Sequence, residues 1–342
     1  MRDHGFHSVT VARVVAETAD ASSFVLDVPP ELRAAFTYEA GQFVTFRVVH
    51  DGEPHLRCYS MSSTPGVDDA LTVTVKRVPG GLVSNWLLDN VEEGGSVEVT
   101  FPAGVFCLTD RTSDLVLFAA GSGVTPIHSL LKAALATTDR RVRLLYANRD
   151  RASTIFAREL DELAAQHPDR LDVAHHLDVD QGFVDAAAVR AVAAAGGGTG
   201  DADVYICGPG PFMDIVEATL LEDGVAPERI QIERFTPAAP VEDAEPDATD
   251  GVQVTIELNG KTGTTAHHPG ATILQTARQL GMAPPYSCES GSCATCMAKV
   301  VEGKCSMHVN NALTDDEVAE GWILTCQSVP TSPTAHVVYE VA

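Results

Sequence analysis

The chain has 342 residues, 45% hydrophobic and 20% charged, enough for two or three domains that each bury a core of their own. Its formal net charge of −24 leaves no cationic surplus to displace counterions from nucleic acid. No apolar run approaches bilayer-spanning length and residues 1–10 are polar, so the expectations are no membrane partner, no secretion signal and a cytoplasmic location.

Residues 1–110 read as short strands between turn residues. In 71–76 Leu71, Val73 and Val75 share one face while Thr72, Thr74 and Lys76 share the other. Residues 42–49 are a second β-rich run, and Gly66, Pro79-Gly80-Gly81, Gly94-Gly95 and Pro102 punctuate the rest. This spacing predicts an antiparallel barrel. Within it, Arg57-Cys58-Tyr59-Ser60 offers a cation, an aromatic ring and a hydroxyl on one strand. A flavin needs these three groups for its phosphates, its isoalloxazine face and its N5 edge. Alone, R-x-Y-S is a weak signal. It gains value from Gly80-Gly81-Leu82-Val83-Ser84, where glycines precede a helix start whose unpaired N–H groups suit a pyrophosphate.

From residue 115 the texture becomes strand–helix alternation. Strands are expected at 115–119, 142–146, 171–174 and 204–207, and helices at 125–136, 155–166 and 212–221. That is the pattern of an α/β doubly wound parallel sheet. Gly121-Ser122-Gly123-Val124-Thr125-Pro126 follows a buried strand and opens a helix, the setting for a dinucleotide phosphate, although its spacing is not G-x-G-x-x-G. Cys207-Gly208-Pro209-Gly210-Pro211 lies at the carboxyl end of a later strand, where open α/β sheets bind ligands. By itself Cys207 reads as a small buried hydrophobe. The pairs His175-His176 and His267-His268 read as surface or capping residues and not as ligands.

Residues 236–251, rich in Pro, Ala, Asp and Glu without apolar period, read as a linker. A strand at 252–258 and an amphipathic helix at 271–280, stopped by Gly281, precede a cysteine-rich segment. Cys288, Cys293 and Cys296 have the spacing C-x4-C-x2-C, and Cys326 follows after 29 intervening residues. This is the plant-type [2Fe–2S] arrangement, in which four thiolates hold two irons. Small residues (Ser290, Gly291, Ser292, Ala294 and Thr295) let the loop wrap a cluster. Tetrahedral zinc sites use two separated short pairs, and only one is present. Cys305, nine positions after Cys296, does not fit the spacing and reads as a free thiol.

The order R-x-Y-S, G-G-x-x-S, G-S-G-V-T-P, C-G-P and Glu233-Arg234-Phe235 resembles the ferredoxin–NADP reductase superfamily. The C-terminal ferredoxin-type segment narrows the resemblance to reductase components of multicomponent oxygenases. The stretches 71–86, 145–150 and 205–213 are similar to 3-ketosteroid 9α-hydroxylase reductases, with phenylacetyl-CoA epoxidase reductases close behind. The resemblance implies a multidomain chain: a flavin-binding antiparallel Greek-key β-barrel at 1–110, an NAD(P)-binding α/β domain at 111–235 and a β-grasp α+β ferredoxin domain at 252–342. It places Arg57, Tyr59 and Ser60 at the flavin and Gly81 and Ser84 at its pyrophosphate. Gly121, Gly123, Thr125, Pro126, Gly208 and Pro209 fall at the nucleotide, while Cys207 and Glu233 fall where nicotinamide meets flavin. Phe235 stands where plant-type members end in a stacking Tyr, but here the chain runs on.

The resemblance implies that NADH passes a hydride to FAD, which releases electrons singly through the cluster to a terminal oxygenase or hydroxylase. FAD is expected over FMN because the 81–84 loop suits a pyrophosphate. At 147–151, where the superfamily reads the adenosine ribose, Asp150 would repel a 2′-phosphate whereas Arg149 and Arg151 would pair with it. Asp150 tips the expectation to NADH, with NADPH left open. Two alternatives stand beside this reading: a reductase for a cytochrome P450 or another non-haem iron hydroxylase, and a non-catalytic flavin and iron–sulfur redox sensor.

Overall fold

In the computed structural model, which describes residues 5–194, 201–235 and 251–339, three sheets follow one another along the chain. The linker expected at 236–251 lies, apart from Gly251, outside the described residues.

The first sheet holds β1 (His7–Thr18), β2 (Ala21–Asp27), β3 (Phe43–His50), β4 (Glu53–Ser60), β5 (Leu71–Lys76) and β6 (Ser96–Val99) in the order β4-β3-β6-β1-β2-β5. Alternate β-branched and aromatic residues supply its core: Val9, Val11, Phe24, Leu26, Val44, Phe46, Val73 and Val75 are all buried. Asp51 and Gly52, at φ 52° and 82°, make the tight turn between β3 and β4. A bridge from Met61 to Val73 ties the chain after β4 to β5 and curls the sheet toward closure. β6 enters between β3 and β1, the crossing of a Greek key. Helix α1 (Leu82–Asn90) buries Val83 and Leu87 in the same core.

The second sheet is wholly parallel, with β7 (Leu115–Ala120), β8 (Val142–Asn148), β9 (Leu171–Leu177), β10 (Asp203–Cys207) and β11 (Ile230–Glu233) ordered β11-β10-β7-β8-β9. Both faces are covered, which is why β7, β8 and β10 are apolar at successive positions. Leu115, Leu117, Leu144 and Tyr205 pack beneath α2 (Val124–Thr137) and α3 (Ala157–Gln166). Val116, Phe118, Leu145 and Ile206 pack on the other face, beneath α5 (Ala186–Ala194) and α6 (Gly210–Glu222), which follow a single turn, α4 (Asp178–Gln181). Helix α3 starts two residues later than expected because Phe156 takes a left-handed conformation, φ 58°. His175 and His176 are β9 residues rather than surface residues. His176 is 8% exposed with Nε2 at 2.9 Å from the Gly182 carbonyl, and burial lowers the pKa of His175.

Barrel and parallel sheet belong to one compact unit. A polar joint ties α2 to the barrel: Ser129 Oγ donates to Ser63 O at 2.6 Å, Thr64 Oγ1 to Ser129 O at 2.9 Å, and buried Lys132 Nζ stands 2.7 Å from Asp68 Oδ2.

The C-terminal sheet belongs to a second unit. It comprises β12 (Gln253–Leu258), β13 (Lys261–Ala266), β14 (Met297–Met307), β15 (Trp322–Leu324) and β16 (Ser328–Tyr339), ordered β13-β12-β16-β14-β15. β12 and β16 are parallel and the other neighbours antiparallel. Helix α7 (Ile273–Gln279) starts at a reciprocal Thr272–Gln275 capping box and buries Ile273 and Ala277 against the sheet. His267 Nδ1 stands 3.0 Å from Thr276 Oγ1 on α7, and its ring also bonds the backbone of Ala271, just before the Thr272 cap. A short α8 (Asp315–Ala319) precedes β15. One helix against a mixed sheet is the expected β-grasp layout.

Candidate functional site

The strand order of the parallel sheet reverses between β7 and β10, so the turns that leave these neighbours open one crevice. Gly121–Gly123 follows β7 as a 3-10 turn and runs into α2, whose N-cap Gly123 makes no side-chain cap bond. A Cβ on Gly123 would lie 2.1 Å from the Cys207 carbonyl oxygen, so only glycine lets this turn pack on the end of β10. Opposite, a Cβ on Gly208 would meet the Phe212 ring at 2.7 Å and Ala120 Cβ at 3.0 Å. Pro209 is the N-cap of α6, also without a side-chain bond. Two helix N-termini without side-chain caps therefore face the switch point, a setting that fits a pyrophosphate. Thr125 and Pro126 are buried in the first turn of α2, and Thr125 Oγ1 donates to Ser122 O at 3.1 Å.

Cys207 and Glu233 are register partners on β10 and β11. The Ser60 hydroxyl, at the end of β4, donates to Glu233 Oε2 at 3.0 Å. Three residues far apart in sequence thus meet at the carboxyl edge of the parallel sheet. Cys207 is fully buried, and burial, then the Glu233 charge, raises its pKa well above the usual thiol range. It is a neutral thiol and no nucleophile. Cys107, isolated from the other cysteines in the sequence, is pushed up to about 12 by burial and by Glu39, with a smaller push from Glu233.

Tyr59 is half-buried and meets Phe46 edge to face, centroids 5.5 Å apart, while Arg57 is exposed. Gly81 is the uncapped N-cap of α1. Ser84 Oγ instead accepts the Val78 N–H at 3.1 Å, which folds the glycine loop back on the helix start. Phe235, 43% exposed, closes the described part of this unit. Lys76, in β5, was not singled out from the sequence, yet its Nζ stands 3.9 Å from where a Cβ on Gly121 would be. It is the cation nearest the glycine turn that these contacts show.

The 147–151 run is already engaged with itself. Asp150 Oδ1 accepts the Ser153 N–H at 2.8 Å and Oδ2 accepts Arg149 Nε at 2.8 Å. The Arg149 contact and then the Ser153 N–H hold this carboxyl at about 2. Arg151 pairs with Asp161.

In the C-terminal unit the four cysteines fall into two pairs. Contact with Cys293, then burial, raises Cys288; contact with Cys326, then burial, raises Cys296. Among the described residues no three His, Cys, Asp or Glu side chains converge as ligands of one ion. Two thiol pairs are the donor set that two irons require. The loop winds through left-handed residues Glu289, Gly291 and Ala294, at φ 49°, 77° and 54°. A Cβ on Gly291 would sit 2.9 Å from Val309 O and 3.0 Å from Gln327 Cγ. The Ser290 N–H points at Cys288 Sγ, 3.4 Å away. The Thr295 hydroxyl is buried against Cys293 and favours the thiolate form of that sulfur. Cys305 lies apart, in β14, against the core of the sheet.

Comparison with known proteins agrees with this geometry. Residues 8–107 match the oxidoreductase FAD-binding domain, 117–218 the oxidoreductase NAD-binding domain and 256–331 the 2Fe-2S iron-sulfur cluster binding domain. The chain is 42% identical over 340 residues to the ferredoxin reductase component of 3-ketosteroid-9-alpha-monooxygenase from Rhodococcus rhodochrous, covering 96% of each. It is 34% identical over 341 residues to one component of the 1,2-phenylacetyl-CoA epoxidase of Escherichia coli K12, covering 95% of each. Among solved structures, phthalate dioxygenase reductase aligns at a TM-score of 0.60 and 26% identity over 98% of both chains.

Proposed function

The chain belongs to the FAD-, NAD- and [2Fe–2S]-dependent reductase components of multicomponent oxygenases, and from that premise we propose that its acceptor is a terminal oxygenase of the 3-ketosteroid-hydroxylating class. Higher identity to the steroid oxygenase reductase than to the epoxidase component favours this acceptor. We take residues 1–110, 111–235 and 252–342 as the flavin, nucleotide and cluster domains, joined by 236–251. No helix among the described residues is long and apolar enough to cross a membrane. A cytoplasmic location is part of the same proposal, since reducing surroundings suit thiolate ligands.

When bound, FAD would accept a hydride from the nicotinamide and the cluster would relay electrons singly. The chain's own residues hold, order and shield these groups. The observation that carries the site assignment is the hydrogen bond from Ser60 to Glu233 beside Cys207. Ser60 then offers an oriented hydroxyl whose proton rests on Glu233 Oε2, and neutral Cys207 excludes water without adding charge. Arg57, Tyr59, Gly81, Ser84 and Phe235 serve the flavin. Gly121, Gly123, Thr125, Pro126, Gly208 and Pro209 serve the nucleotide phosphates. Cys288, Cys293, Cys296 and Cys326 ligate the irons.

Anaerobic mixing of the full chain with NADH should bleach the flavin first and the cluster afterwards. Adding a 3-ketosteroid terminal oxygenase should then give hydroxylated steroid at a multiple-turnover rate. A single slow turnover with every acceptor would point instead to the redox sensor. Faster coupling to an epoxidase oxygenase than to the steroid enzyme would reassign the partner.

Nucleotide choice belongs to the same proposal. NADH is the expected donor, with Arg149 and Asp150 reading the adenosine ribose. Because Asp150 also caps the turn at Ser153, Asp150→Asn is a cleaner test than Asp150→Ser: the amide still caps while the charge is gone. The ratio of kcat/KM for NADPH to that for NADH should rise about tenfold as a repulsive element is removed. An unchanged ratio would reduce Asp150 to a cap.

A further inference from the structure

The C-terminal unit carries a half-buried ion pair that cysteine ligation does not use. Arg278, in the last turn of α7, donates to Glu289 at 2.7 Å (Oε1) and 3.3 Å (Oε2). The Glu289 side chain is 8% exposed and directly follows Cys288 in a left-handed conformation, φ 49°. That backbone disfavours a residue with a Cβ, so contacts must hold it there. The same guanidinium stands 3.9 Å above the centroid of the Tyr286 ring, two residues before Cys288. From the other side, Gln327 Nε2 donates to the Glu289 carbonyl at 2.8 Å. Gln327 directly follows Cys326. Glu289 is therefore tied through its carboxylate to α7 and through its carbonyl to the neighbour of the fourth cysteine.

We propose that the Arg278–Glu289 pair is a positioning element of the [2Fe–2S] site that clamps the loop between its first and last ligands and sets the local charge. The inference rests on the assignment of the four cysteines to a cluster. A half-buried ion pair adds little net stability, yet removing one partner strands the other charge. Reduction adds one negative charge to the site. A stranded cation beside it favours the reduced form, and a stranded anion the oxidised form.

The test is a redox titration of the full chain, loaded with FAD and cluster and followed by electron paramagnetic resonance. Glu289→Gln should shift the cluster toward its reduced form about tenfold, or about 59 mV upward for a one-electron couple. Arg278→Met should shift it the opposite way by a similar factor. Arg278→Lys should restore most of the wild-type value, and Arg278→Met combined with Glu289→Gln should return close to it. Single variants that lose the cluster while the double variant keeps it would also support the clamp. Shifts of one sign, shifts below about twofold, or cluster loss in all the variants would overturn it, since a merely structural pair predicts no opposed shifts. A wild type without a [2Fe–2S] spectrum would instead remove the cysteine assignment on which the pair depends.

Discussion

Cys326→Ser is expected to leave the chain without a stable [2Fe–2S] spectrum, whereas Cys305→Ser keeps it in full. On the proposed assignment the two thiol pairs, Cys288 with Cys293 and Cys296 with Cys326, would each hold one iron. Removing Cys326 leaves one iron with a single protein sulfur. The cradle around it is specific, since Thr325 donates to the Cys296 carbonyl through its N–H at 3.2 Å and its hydroxyl at 2.9 Å. Cys305 instead pairs with Pro330 across the β14–β16 ladder, and burial pushes its thiol up to about 11. Cys305 sits on β14 and packs on the hydrophobic core of the sheet, off the loop that carries Cys288, Cys293 and Cys296. Visible absorption, iron content and the reduced-state paramagnetic signal decide the matter. Loss of cluster in Cys305→Ser with retention in Cys326→Ser would reverse the assignment.

Gly123→Ala should cut NADH-driven flavin reduction about a hundredfold, the scale of a misplacement of about 1 Å at a reacting centre. Its backbone, φ −62°, is one that alanine adopts readily, so the requirement is steric and not conformational. The new methyl would meet only main-chain atoms: Cys207 O at 2.1 Å, Cys207 C at 2.4 Å and Gly208 N at 2.7 Å. None of these can rotate away, so β10 and the α2 turn must separate. Gly210→Ala is the matched control, because nothing lies within 4 Å of its added Cβ. Stopped-flow reduction by NADH should separate the two variants, while dithionite still reduces flavin and cluster in both. Equal rates in both variants would show that the close packing of these turns is dispensable.

Much of this was legible from local pattern. β5 coincides with the alternating run, and continuous apolar stretches marked β7, β8 and β10, because a sheet covered on both faces needs no polar positions. β1 and β2 went unremarked for a physical reason. Their pairing slips between Val11 and Arg13 and again between Ala16 and Thr18, which breaks the period of two. β16 hides itself differently, since Pro330 and Pro333 argue against a central strand. Its ladder to β12 begins only at Thr334, past both prolines. The cluster ligands were readable because three of them share one loop. The Ser60–Glu233 bond spans 173 positions, and the Arg278–Glu289 pair joins a helix to a loop, so only the folded chain displays either.

The polar joint between α2 and the barrel constrains how turnover can proceed. The helix that opens at the nucleotide turn is the one whose Ser129 and Lys132 are bonded to Ser63 and Asp68. Swinging the nucleotide fold away from the barrel would break the half-buried Lys132–Asp68 pair and the two hydroxyl bonds, at a cost of about 1–3 kcal/mol. Every 1.4 kcal/mol of that cost makes the separated arrangement about tenfold rarer. The joint therefore favours nucleotide exchange past side chains over a hinge at this helix. Such a protein would exchange its soluble substrate with barrel and parallel sheet held in one geometry.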